Sequence, residues 1–353
     1  MKYQVYKHKE KFELESGECI SGLEIAFTTH GEMNENKSNV IWICHAFTAN
    51  SNPSEWWSDM VGPGKIFDPD KYFIVCANIL GSCYGTTGPL SINPETGNPW
   101  YRNFPFITVR DMVKCHQLIA QFLEIEKIHT ITGGSVGGHQ AIEWAIMEPL
   151  RFEHLILIAT NAKFSPWGVA FSTSQRLAIE SDASYFEDIP EGGANGMKAA
   201  RSIALLSYRN ATAYNYTQKE DSNEVFNNFK SDSYQNYQGE KLVKRFNAYS
   251  YMVLSKSLDS HNVARGRDSL ENALSQIEAK TIIIGINSDI LFPVDEQEEL
   301  FKFIRGSKLK MIESDYGHDG FLIEFQKITE AIEDFYTSGI SYSKKEIAIE
   351  IKK

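Results

Sequence analysis

The stretch GGSVGGHQAIEWA, Gly133 to Ala145, sets a serine among glycines directly after the apolar run 128–131. Its first five residues, Gly133-Gly134-Ser135-Val136-Gly137, fit the pattern G-x-S-x-G. In that pattern the serine occupies a strained strand-to-helix turn, and the glycines let strand and helix backbones approach closely. The surroundings suit it: KIHTITG before the turn reads as a strand, and VGGHQAIEWAIMEP after it as a helix stopped by Pro149. A plain turn serine remains the alternative that five positions alone would leave open. Its neighbourhood and the rest of the chain make Ser135 a candidate nucleophile.

The pattern extends outward from this point. HLILIAT follows as a strand, and strand, helix, strand in this order implies a parallel sheet with right-handed crossovers. Upstream, KFELES, LEIAFTTHG, NVIWICHAF and YFIVCANIL read as strands. The last two are nearly continuous in apolar residues, as strands covered on both faces are. Val109, Met112, Val113, His116, Ile119, Ala120 and Leu123 recur at helical spacing, with Thr108 as the N-cap. His116 and His154 fall in these packing elements. From 163 to 279 the chain has helical stretches such as TSQRLAIES, GANGMKAARSIALLSYR and SYMVLSKSLDSH with no clear strand partner, after which KTIIIGINSD and SKLKMIES resume the sheet and FLIEFQKITEAIEDFYTS follows as a closing helix. The expected organisation is an α/β core from 1–162 and 280–353, interrupted by a helical lid at 163–279.

Bulk properties narrow the function. At 353 residues and 42% hydrophobic, the chain can bury one large core. A formal charge of -11, with basic residues gathered only in KHKEK and the terminal SYSKKEIAIEIKK, argues against a nucleic-acid partner. No run approaches the roughly 18 apolar residues of a membrane span. Five cysteines form no CxxC pair, and with no signal peptide in the opening residues a cytoplasmic location is expected. No metal site and no separate cofactor are expected.

A serine hydroxyl needs a base to take its proton, and the base needs an acid to orient it. With a nucleophile on this kind of turn, acid and histidine come later in the chain, on loops after late strands. IIIGINSDILFP supplies Asp289 and MIESDYGHDGF supplies His318. Asp315 is a weaker rival for the acid because it follows the wrong strand. The oxyanion of the intermediate needs N–H donors. Those expected are the backbone of Val136, next to the nucleophile, and of Phe47 in CHAFTA. His45 in that loop reads as structural, and His139 either packs or lines the pocket mouth. The glycine-rich GSCYGTTGPLS lacks the G-K-[ST] ending of a phosphate-binding loop. It reads as a loop crossing near the active site.

Beyond this triad, the stretches FDPDKYFIVCANILGSCYGTTGPLSINPETGNPW, FPFITVRDMV, GGSVGGHQAIEWA, QRLAI, LSYRN, FNAYSYMVLSKSLD, SDILFP and YGHDGFLIE together resemble the homoserine O-acyltransferase family, chiefly the acetyltransferases. The resemblance spans nearly the whole chain. It implies an α/β-hydrolase fold with a helical lid, a homodimer joined through the lids, acetyl-CoA as donor and the homoserine hydroxyl as acceptor. It puts nucleophile, acid and base on Ser135, Asp289 and His318. It also implies that Arg209 of LSYRN holds the amino acid's carboxylate and Asp319 its amino group. A guanidinium and a carboxylate suit those partners, although Arg209 could instead form a lid salt bridge and Asp319 an N-cap. The chain departs from the family at Phe47, Ala49, Val136 and His139 and in the residues before QR, all near the substrate region. Ester hydrolysis, succinyl-CoA as donor and L-serine as acceptor are the alternatives these departures leave open.

Overall fold

The apolar runs become strands whose alternate residues feed two separate cores. In the computed structural model, which describes residues 3–337, the strands are β1 (Gln4–Lys7), β2 (Phe12–Glu13), β3 (Cys19–Ile20), β4 (Glu24–His30), β5 (Val40–Cys44), β6 (Phe73–Ala77), β7 (Ile128–Gly134), β8 (Phe152–Ile158), β9 (Lys280–Ile286) and β10 (Lys308–Ile312). The basic run at the C-terminal end lies outside the described residues, as does the part of the expected core beyond 337.

β2 and β3 pair with each other, and the other eight form one sheet in the order β1-β4-β6-β5-β7-β8-β9-β10. β4 is antiparallel to β1 and β6, and the remaining pairs are parallel. This is an α/β-hydrolase fold. β5 and β8 are buried on both faces: Trp42, Cys44, Leu155 and Leu157 face the helices Val109–Phe122 and Val136–Met147. Ile41, Ile43, Ile156 and Ile158 face Ile328, Ile332 and Phe335 of the helix Phe325–Thr337. Thr108 caps its helix as expected. Its hydroxyl accepts from the Asp111 N–H while the Asp111 carboxylate accepts from the Thr108 N–H, a reciprocal cap worth about 1 kcal/mol.

Between β8 and β9 the chain adds no strand to the sheet among the described residues. It runs through the helices Pro166–Glu180, Ala194–Tyr208, Ala211–Thr217, Lys230–Val243, Ala248–Asp259 and Leu270–Leu274. Its two ends are stitched together where Phe164 N donates to His261 O (3.0 Å) and Val263 N to Ala162 O (3.0 Å). This neck closes the helical layer before 279, and Leu270–Leu274 packs on the core helix Val294–Phe303. Among the described residues no helix is long and apolar enough to cross a membrane.

Candidate active site

The register of the sheet brings the site together. Cys44 pairs with Gly133 and Gly134 with Ile158, so β5, β7 and β8 end at one edge. Ser135 leaves β7 at that edge with φ 56° and ψ −125°, in the region that side chains avoid, and the turn is held from both sides. Its N–H donates to Ile158 O (3.0 Å), and the Thr160 hydroxyl donates to its carbonyl (2.8 Å). Gly137 has no room for a side chain, because a Cβ there would fall on the Cys44 carbonyl oxygen. The close approach of helix to strand read from the glycines is therefore present.

Asp289 follows β9 and His318 follows β10. Asp289 Oδ2 lies 2.7 Å from His318 Nδ1, and Oδ1 accepts from the N–H groups of Leu291 (2.8 Å) and Phe292 (2.9 Å). Both side chains are buried. A carboxylate fixed by two backbone donors fixes in turn which imidazole nitrogen carries the proton, leaving Nε2 to act as base. Asp315 is exposed and makes no such contact with the histidine.

A narrow cavity of about 30 Å³, room for a water or two, joins these elements. Ser135, Val136 and Phe47 line it together with Phe164, Tyr208 and Phe292. The Phe292 ring stacks on His318 with centroids 5.0 Å apart, and Tyr208 sits 5.7 Å from the same imidazole. Ser135 and His318 thus share two aromatic neighbours. Val136 is the first residue of its helix, where an N–H has no acceptor within the helix and is available to an anion. Phe47 packs edge-on against Tyr251, with centroids 4.8 Å apart.

His45 is structural. Its Nε2 accepts from Ile79 N–H (3.0 Å), Nδ1 bonds to Ala46 O (2.9 Å), and burial lowers its pKa to about 4. His139 packs rather than lining the pocket. It stacks on His261 at 3.9 Å, bonds to Asn161 Oδ1 (2.8 Å), and burial lowers its pKa to about 3. Asn161 in turn donates to Glu296 (2.7 Å), whose pKa burial raises to about 7. The GSCYGTTGPLS loop does pass beside the Phe47 segment: Tyr84 Oη accepts from Arg245 Nη1 (2.7 Å), which also donates to Thr48 O.

Arg209 and Asp319 meet directly. Arg209 caps the C-terminal end of Ala194–Tyr208, its Nε 3.1 Å from Asp319 Oδ2 and its Nη2 3.1 Å from the Tyr234 hydroxyl. The Nε–H is buried and makes no aligned hydrogen bond. Asp319 stands at the N-cap position of Gly320–Ile323 but caps nothing. Burial raises its pKa, opposed by the positive charge of Arg209. Sequence reasoning missed Tyr234 and the cavity residues Phe164, Gln175 and Tyr208. They lie far apart in the chain, and only the position of Tyr208 beside Arg209 hinted at its place.

Comparison with known proteins agrees with this fold. A family model described as alpha/beta hydrolase fold matches residues 39–325. The homoserine O-acetyltransferase of Cyclobacterium marinum is 46% identical over 336 residues, covering 95% of each chain. The crystal structure of homoserine O-acetyltransferase from Bacillus anthracis superposes with a TM-score of 0.89 at 26% identity, over 97% of this chain and 99% of that one. An acetylester hydrolase from Corynebacterium glutamicum shares the fold, with a TM-score of 0.84 at 24% identity over 96% of each chain. By its full-length likeness to the first of these relatives, the chain belongs to the homoserine O-acetyltransferase family of α/β-hydrolase-fold enzymes.

Proposed function

We propose that the enzyme moves an acetyl group from acetyl-CoA to the hydroxyl of L-homoserine through an acyl-Ser135 intermediate. His318 Nε2 takes the Ser135 proton as Oγ attacks the thioester carbon, the C–S bond breaks, and the proton passes to the departing CoA sulfur. The N–H groups of Val136 and Phe47 face the oxyanion. In the second half His318 takes the homoserine hydroxyl proton, that oxygen attacks the acyl carbon, and Ser135 recovers the proton as it leaves. Asp289 stabilises the imidazolium in both halves.

The observation that carries the amino-acid acceptor is the Arg209–Asp319 pair beside the base, with a buried Arg209 Nε–H lacking an aligned acceptor. The substrate's carboxylate supplies that acceptor and its ammonium supplies Asp319 with a counter-charge. Acetyl is favoured over succinyl because, among the described residues, the cavity lining contains no cationic side chain, and a succinyl carboxylate would be buried unpaired there. Arg176, nearby, is already committed to Asp259 (2.6 Å) and Ser255 (2.8 Å).

Pairing of two chains through the helical layer is supported by the exposed apolar side chains Leu206, Tyr216, Phe226, Phe229 and Tyr237. Five free cysteines suit the reducing cytoplasm. The test of the activity is release of free CoA from acetyl-CoA with no acceptor, with L-homoserine and with L-serine, using Ser135→Ala as blank. Release that depends on homoserine supports the proposal. Equal release in all three mixtures would mean hydrolysis, and preference for serine would reassign the acceptor.

A further inference from the structure

We propose that His129, Glu153 and His154 form a binding site for a divalent cation of the zinc class, at the end of the sheet opposite Ser135. One donor atom from each residue lies within 4.8 Å of the others. His129 is near the start of β7, and Glu153 and His154 are near the start of the adjacent strand β8. Two imidazoles and a carboxylate are a donor set that zinc takes in sites keeping one coordination position for water.

The two rings are oriented in the way a metal requires. His154 Nδ1 is 3.1 Å from the His129 carbonyl oxygen. Only an N–H can bond to a carbonyl, so Nδ1 carries the proton and Nε2 presents a bare lone pair. That second contact is the usual partner of a ligating histidine. Phe335 and Tyr336 pack edge-on against the His154 ring, with centroids at 5.6 and 5.1 Å, and hold it in place. His129 Nδ1 is occupied by the Thr130 hydroxyl (2.9 Å), itself 2.8 Å from the Tyr336 hydroxyl, which leaves His129 Nε2 as ligand.

Glu153 Oε1 already lies 3.8 Å from His154 Nε2. Tetrahedral zinc wants such donors roughly 3.3 Å apart. All three donor atoms lie within 4.8 Å of one another, and the exposed Glu153 side chain can supply part of the movement that brings them closer. Lys280, the cross-strand neighbour of His154, opposes a bound cation, and the Glu153 carboxylate offsets it.

His129 is separated from Ser135 by nearly the whole length of β7, roughly 20 Å at strand rise. A cation here takes no part in acyl transfer. It ties the starts of β7 and β8 together and stabilises the folded chain by mass action.

The experiment uses the untagged full chain, stripped with a chelator, titrated with Zn²⁺ by calorimetry and followed in parallel by thermal unfolding. His129→Gln and Glu153→Gln are the variants, because His154 is packed and its loss could unfold the chain. Their metal-free circular dichroism and Tm serve as the folding control. The expected result is about one zinc per chain, a rise in Tm on adding zinc, and at least a tenfold loss of affinity in each variant. Variants that bind zinc as tightly as the parent, or a parent that binds none stoichiometrically, would overturn the site.

Discussion

Arg209 and Asp319, one at the end of a helix above the sheet and the other next to His318, hold each other at 3.1 Å. A substrate carrying both a carboxylate and an ammonium exchanges this internal pair for two external ones, so its binding cost is small. A substrate with only one charge leaves a buried partner unsatisfied, which is the expensive case.

Arg209→Lys is therefore expected to raise the KM for homoserine by about 10- to 100-fold, since a lysine cannot present the planar fork. Asp319→Asn should raise it by about tenfold. Neither should change the slow release of CoA measured without acceptor. Steady-state kinetics with homoserine varied at fixed acetyl-CoA distinguishes this from a general loss of structure, which would lower both rates together.

For the triad, Ser135→Ala should reduce CoA release by on the order of 10⁵-fold or more, and Asp289→Asn by about 10⁴-fold. The asparagine variant can keep its bonds from Leu291 and Phe292 but favours the wrong imidazole tautomer. Circular dichroism should remain unchanged in both, and covalent labelling of the serine by a fluorophosphonate should fail in Ser135→Ala.

These three residues were legible because each follows the C-terminal end of a strand, β7, β9 or β10, and Ser135 also sits in the G-x-S-x-G pattern. At Ser135 motif and strand boundary coincide. β1 was not legible, since Gln4–Lys7 is an exposed edge strand whose charged and polar residues read as a solvated terminus. The helix Lys230–Val243 was missed for a similar reason. Its sequence is polar nearly all round, and it is held by packing against Ala194–Tyr208 rather than by a strong apolar stripe. The ion pair of Arg209 with Asp319 and the stack of His139 on His261 join distant segments. Local spacing carries no signal for such contacts.

Gly137→Ala should cost about 3 kcal/mol or more of stability, because the added methyl falls on the Cys44 carbonyl in a place fixed by the sheet. Denaturant melts should show a lower midpoint with an unchanged slope, alongside loss of activity as the turn holding Ser135 shifts. A neutral result would mean that the helix can slide away from β5.

Stability should also depend on pH in two opposed ways. Burial holds His45 and His116 at about 4 and His139 at about 3, below their ordinary value near 6.5. Unfolding then takes up protons, and stability falls as pH drops below about 6.5. Glu296 acts in reverse. Its carboxyl is raised from 4.5 to about 7, so its contribution is full below pH 4.5 and is lost as pH rises toward 7. That loss is on the order of 2 kcal/mol after allowance for partial exposure. Glu296→Gln should gain stability relative to the parent as pH rises from 5 to 8, measured as Tm against pH.

One contact reaches beyond these single substitutions. The Gly317 position, at φ 65° on the turn that carries His318, allows so little space that a Cβ would stand 2.8 Å from the Arg209 carbonyl carbon. His318, the proposed base, is thus braced by the polypeptide that carries Arg209, the proposed partner of the acceptor's carboxylate. Chimaeras exchanging the helical layer between relatives would inherit a new keystone for the histidine as well as a new binding surface. Altered specificity in such hybrids should come with altered turnover unless the 317–319 turn is transplanted alongside.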